Sequence, residues 1–146
     1  LWLLLYSNLS LDNYYYQMAN LSNKMLNILK TLSIYLMSSF YIGVGIDHFR
    51  RTQWYEKIVP PFLPFKYELV LISGVFELIL GIMLLFPQLR FLAGNGLILL
   101  LILVYPANIY LAYTHGAAMG TTPLIAWGRL PIQFIFIGLA YIHSKS

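Results

Sequence analysis

Four long apolar runs constrain this chain more than any other feature. Residues 28–49, 67–86, 91–113 and 123–143 each approach the ~20 residues that a helix needs to cross a ~30 Å hydrocarbon core. Inside lipid no water bonds the backbone, so a crossing segment must satisfy its own N–H and C=O groups. Barrel strands would show runs of about 10 residues with alternating polarity; these runs are continuous. The pattern predicts an all-α membrane protein, a compact bundle of four transmembrane helices. The short connections make sequence neighbours antiparallel.

Composition narrows the function. The chain of 146 residues is 60% hydrophobic and only 10% charged, against about 25% charged in soluble domains. It contains no cysteine, which excludes a thiol relay, an iron–sulfur cluster, a disulfide shuttle and thiolate zinc sites within it. The net charge of +4 comes from basic residues at loop edges, where anionic headgroups account for them. No basic stripe or recognition motif points to nucleic acid. Lys24, Lys30, Arg90 and Lys145 fall on one side of the bundle, and Arg50, Arg51, Lys57 and Lys66 on the other. The positive-inside rule therefore assigns no orientation.

Residues 1–27 read as an N-terminal arm, and residues 28–146 as a single transmembrane domain. The opening run, residues 1–5 (LWLLL), is too short to span, and no basic residue precedes it as in a signal peptide. Met18 or Met25 would give an ordinary basic lead-in to the first span. On that reading the residues before Met18 are upstream sequence or a loosely attached arm.

Between the first two spans lies a proline-rich loop, residues 50–66 (RRTQWYEKIVPPFLPFK). Trp54, Tyr55, Ile58, Val59 and Phe62 recur at roughly helical spacing, a pattern suited to the headgroup region. Pro60, Pro61 and Pro64 then prevent helix and turn the chain back. Two readings stand: an interfacial linker, or a lid over a cavity between the helices.

Ionisable and amide groups inside the spans mark the candidate site, because such groups cost enough in lipid to face inward and find partners. From the rise of 1.5 Å per residue, Glu77 lies roughly 15 Å below the proline-loop side, Asn108 roughly 8 Å and Arg129 roughly 9 Å. His48 closes the first span on that same side. Ser38, Tyr41, Gly45 and His48 form one helical stripe, and Ser73, Gly74, Glu77 and Gly81 another. Tyr105 and Asn108 share a face in the third run beside Pro106, and Gln133 lies one turn beyond Arg129. The expected buried cluster is His48, Glu77, Asn108, Arg129, Gln133 and Tyr105, with Arg129 able to bridge to Glu77. That pair either fixes helix register or anchors a ligand and exchanges protons. Asn108 either satisfies backbone freed by Pro106 or joins the site, and His48 either caps its helix or exchanges protons with Glu77.

Other chemistries find no footing. His115 falls in a glycine-bearing loop and His143 at the opposite face, so bis-histidine haem does not fit. No dense His/carboxylate motif suggests a metal. A serine triad, a phosphate loop and a nucleotide fingerprint are absent, and no catalytic residue is assigned.

Six ordered segments carry a resemblance. Residues 45–49 (GIDHF), 54–64 (WYEKIVPPFLP), 71–81 (LISGVFELILG), 87–90 (PQLR), 104–110 (VYPANIY) and 129–134 (RLPIQF) resemble motifs of DoxX-like membrane proteins. The resemblance spans about residues 42–141 and implies a four-helix protein of the bacterial cytoplasmic membrane. It implies work as a subunit of a membrane or redox complex, or as an assembly factor. The thiol-handling branch is set aside because cysteine is lacking.

Three functions follow as expectations. The first is an accessory or assembly subunit with a membrane partner, whose polar cluster locks its own bundle. The second is a membrane subunit of an oxidoreductase that binds a quinone between its helices. A small transporter is the weakest, since the halves show no internal repeat.

Overall fold

The computed structural model describes the backbone of residues 2–146, and the side chains of Leu11 and of residues 13–146. Among the described residues there are helices and turns and no strand. The helices are α1 (Trp2–Arg50), α2 (Thr52–Glu56), α3 (Lys66–Met83), α4 (Arg90–Tyr113) and α5 (Pro123–Ser144). Three segments, Asn13–Arg50, Pro87–Tyr113 and Pro123–Ser144, are long and apolar enough to cross a membrane. The expected four-helix count is not established on these grounds. At 18 residues, α3 is only ~27 Å long, and it carries Lys66, Glu68 and Glu77. It stops short of the predicted residue 86 because the hydrogen bonds tighten after Met83. The N–H groups of Leu85 and Phe86 reach back only three residues, to Ile82 and Met83, and Pro87 blocks continuation.

Contacts divide the chain into two units, Leu1–Ser33 and Ile34–Ser146. Helix α1 begins at Trp2 rather than near residue 28, so the predicted arm is helical. The side chains of residues 1–5 lie outside the described residues. In the first unit Tyr14, Tyr15 and Tyr16 are exposed.

The second unit holds the candidate site. Many of its large apolar side chains point outward, among them Leu36, Leu103, Phe134 and Ile135. An apolar surface this extensive fits helices wetted by lipid. Lipid tails are as apolar as leucine, so helices there associate through close packing and hydrogen bonds. Glycines supply the packing. A Cβ on Gly45 would stand 2.8 Å from the Gly74 carbonyl, and one on Gly94 would stand 2.5 Å from the Ala140 carbonyl. The Ser38 hydroxyl donates to the Gly81 carbonyl at 2.7 Å, tying α1 to α3. Met37, Tyr41, Leu84, Leu97 and Ala140 form one core, and Tyr55, Ile58, Val70, Leu111 and Met119 a second.

Gly45→Ala should push α1 and α3 apart and destabilise the protein by about 1–3 kcal/mol in detergent unfolding. A Cβ on Gly43 would meet nothing within 4 Å, so Gly43→Ala should be neutral or gain up to ~1 kcal/mol. Equal effects of the two substitutions would remove the close-approach argument.

Candidate functional site: a cavity under a tethered roof

Gly74 makes the room in which the site forms. A Cβ there would lie 2.7 Å from the Cβ of His48, so the missing side chain seats the imidazole. Glu77, one turn along α3, meets it, with His48 Nδ1 and Glu77 Oε2 3.2 Å apart and each side chain only 9% exposed. That is ion-pair distance, but the approach is off-line for a hydrogen bond. Both atoms keep unused hydrogen-bonding capacity, as does the buried Tyr41 hydroxyl. His48 therefore turns inward instead of out to the interface.

Arg129 does not bridge to Glu77. Among the described residues Glu77 pairs with His48 and Asp47 with Arg51. The half-buried Arg129 directs Nη1 to the Met119 sulfur at 3.7 Å. Its place early in α5 sets it beside the α4–α5 turn that carries Met119. Gly116 and Gly120 form this turn at positive φ, and a Cβ on Gly116 would stand 2.5 Å from the Thr121 carbonyl. Thr122 then caps α5 by accepting from the Ile125 N–H, with Pro123 at the first helical position.

Asn108 does not take the first of its two expected roles, satisfying backbone beside Pro106. Its Nδ2 donates to Gln133 Oε1 at 2.6 Å, while Gln133 Nε2 donates to the Leu101 carbonyl. Pro106 disturbs this stretch of α4 by removing an N–H and crowding the preceding turn. Gln133 thus serves the backbone, and Asn108 orients Gln133. Tyr105 lies edge-on to Phe134, with ring centroids 5.6 Å apart.

The proline loop covers the site. The Asp47 carboxylate accepts from Arg51 and from the Tyr55 hydroxyl, the latter at 2.8 Å. The Arg51 guanidinium lies 4.8 Å from the Trp54 ring centroid, and the Trp54 indole N–H donates to the Met119 carbonyl at 3.1 Å. The Tyr55 ring stands edge-on to His48 with centroids 3.9 Å apart. Burial and the bond to Asp47 push the Tyr55 phenol well above its ordinary pKa, so it stays a neutral donor. The Asp47 hydrogen bond raises the Arg51 guanidinium further. Pro60 is buried, and Pro61 and Pro64 are exposed.

Beneath this roof is a cavity of about 280 Å³, on which His48, Glu77, Asn108 and Arg129 converge from α1, α3, α4 and α5. Tyr55, Ile58, Val59, Pro60 and Leu63 close it above. Gln133 and Tyr105 are not on its wall; Gln133 supports Asn108 from behind. Sequence reading missed Met119, which nothing in its neighbourhood flagged. It also missed the Asp47–Arg51 clasp, whose spacing of four residues on one helix was a usable signal. Among the described residues no group of three or more His, Asp or Glu side chains could hold a metal ion.

Fold and site together define a helical chain with three helices able to cross a bilayer and, in its second unit, a largely apolar cavity with a few convergent polar groups. Residues 37–144 match a domain of unknown function (DUF8561), and the chain belongs to that family. Every polar residue on the cavity wall lies within the matched region. No curated protein and no solved structure matches the chain.

Gln133→Leu removes the interhelical bond to the Leu101 carbonyl and leaves Asn108 without its partner, and should cost about 1–2 kcal/mol in detergent unfolding. Adding Asn108→Leu should restore part of that loss, because replacing both partners removes the unmatched polar group. A single variant as stable as the wild type would contradict the bonding scheme.

Proposed function

We propose that this chain is an integral membrane protein in which α3 completes a bundle of four crossing helices. It works as a ligand-binding membrane subunit, and a quinone-type headgroup is the ligand class. One observation carries the reading: a guanidinium and a carboxylate line the same small cavity without pairing with each other. Buried opposite charges that serve only stability gain most by meeting directly. Held apart, they offer two distinct anchoring points.

The chemistry fits a flat, carbonyl-bearing head. Arg129 donates hydrogen bonds to a carbonyl oxygen, and Asn108 adds an amide beside it. His48 and Glu77, 3.2 Å apart, set an imidazole and a carboxylate on the same cavity. Apolar walls with a few convergent polar groups suit small-molecule binding. Reduction of a quinone takes up electrons and protons in equal number. The residues of this chain supply the proton side, and a partner redox protein would supply the electrons. The resemblance of six ordered segments to DoxX-like motifs fits the same setting, a subunit in the bacterial cytoplasmic membrane.

Native mass spectrometry of mildly solubilised protein tests the reading. A quinone-sized adduct is expected on the wild type, retained in part by Arg129→Lys and lost in Arg129→Ala. Bare protein, or protein carrying only another membrane polypeptide, would overturn it in favour of an accessory or assembly subunit.

A further inference from the structure

The walls of the cavity are unequal. Its roof is shut by residues that are almost wholly buried, with Tyr55, Ile58 and Val59 at 6–8% exposure. The roof is also tied down at its Trp54–Tyr55 end, by the Tyr55 hydroxyl to Asp47 and by the Trp54 indole to the Met119 carbonyl. The side between α3 and α4 is built differently. Leu69, Ile72 and Phe76 line it from α3 at helical spacing, and Leu103 lines it from α4. All of these are exposed, Leu103 at 66%. They touch the cavity on one side and the surroundings of the protein on the other. Every one is apolar.

We propose that the cavity is loaded sideways from the bilayer, through this seam between α3 and α4. Its ligand is an amphiphile whose compact head lies at Arg129 and His48–Glu77 and whose apolar tail stays in the seam and the lipid. The inference rests on the ligand-binding reading above and adds the route and the tail. Volume supports it. At about 280 Å³ the cavity lies at the small end of the ~300–1,000 Å³ typical of ligand pockets. It accommodates a headgroup and leaves no room for a long tail. Polarity supports it too, since the charged groups sit inward and the rim facing outward offers only hydrocarbon contacts. A water-soluble metabolite would have to cross either that rim or the tethered roof.

The test uses the full chain in lipid nanodiscs and two benzoquinone probes. One has a bare ring, and the other has a long alkyl tail with a photoreactive diazirine near its far end. The tailed probe should label α3 and α4 at Ile72, Phe76 and Leu103. Combining Ile72→Trp with Leu103→Trp should weaken the tailed probe about tenfold by crowding its tail. The bare ring should bind that variant as it binds the wild type, which also shows that the head site has folded. Labelling of the 58–63 roof or of the α4–α5 turn would overturn the sideways route alone. So would tailed-probe binding that the paired substitution leaves unchanged. Failure of both probes to bind the wild type would remove the ligand-binding reading, and this inference with it. The chain has no native cysteine, so Leu103→Cys gives an independent check. Spin-labelled in detergent and reconstituted, it should be accessible to oxygen and shielded from a water-soluble relaxant, and spin–spin coupling between copies would overturn the route by showing that a second copy covers the seam.

Discussion

The close approach of α1 to α3 at Gly45 and Gly74 is the contact on which the rest of the site depends. Backbone meets backbone there because neither glycine carries a Cβ, the kind of packing that holds helices together where lipid removes the hydrophobic drive. One turn further along α1 the same notch receives His48. The imidazole is thereby brought within 3.2 Å of Glu77, and the carboxylate is engaged from α1. This leaves Arg129, arriving on α5, to face the cavity without a carboxylate of its own. Local crowding on one pair of helices thus decides the charge pattern across the whole cavity.

The polar interior is sorted into two kinds of bond. Ser38 with the Gly81 carbonyl, and Gln133 with the Leu101 carbonyl, satisfy backbone at places where helices touch or are disturbed. Their loss would remove bonds that cross from one helix to the next. The groups on the cavity wall are held more loosely. The off-line contact of His48 with Glu77 leaves both atoms able to accept or donate elsewhere. A core built only for stability would be expected to match such groups to one another.

Much of the fold was legible because apolar run length is a direct physical signal. Helix α4 ends at Tyr113, and α5 begins at Pro123, where their runs did. The start of α1 was not legible, since the polar residues ahead of residue 28 are compatible with helix and carry no periodicity to mark one. The membrane status of α3 is also ambiguous in sequence, because Lys66 and Glu68 load its first turn. At the site, burial cost singled out His48, Glu77, Asn108 and Arg129, and these four do line one cavity. Their pairing could not be read from sequence. Depth along a helix places a residue to within a turn, whereas partner choice depends on side-chain direction and on absent atoms such as the Gly74 Cβ. The exchange of roles between Asn108 and Gln133 has the same origin, a difference of reach between neighbouring amides.

Met119 joins the roof to the cavity's cation. Its carbonyl accepts from Trp54, and its sulfur accepts from Arg129. The first bond is an ordinary strong one, while a thioether is a weak acceptor for a guanidinium. Arg129 is therefore parked rather than locked. Turning it from the sulfur toward a carbonyl oxygen in the cavity exchanges a poor acceptor for a better one, and breaks no salt bridge in doing so. Had Arg129 been paired with Glu77, the same movement would have left a buried carboxylate uncompensated, at a cost of about 3–5 kcal/mol. Glu77 instead lies against His48, so Arg129 moves without leaving it. The two groups thus face one cavity independently, Arg129 held by a weak acceptor and Glu77 by an off-line contact.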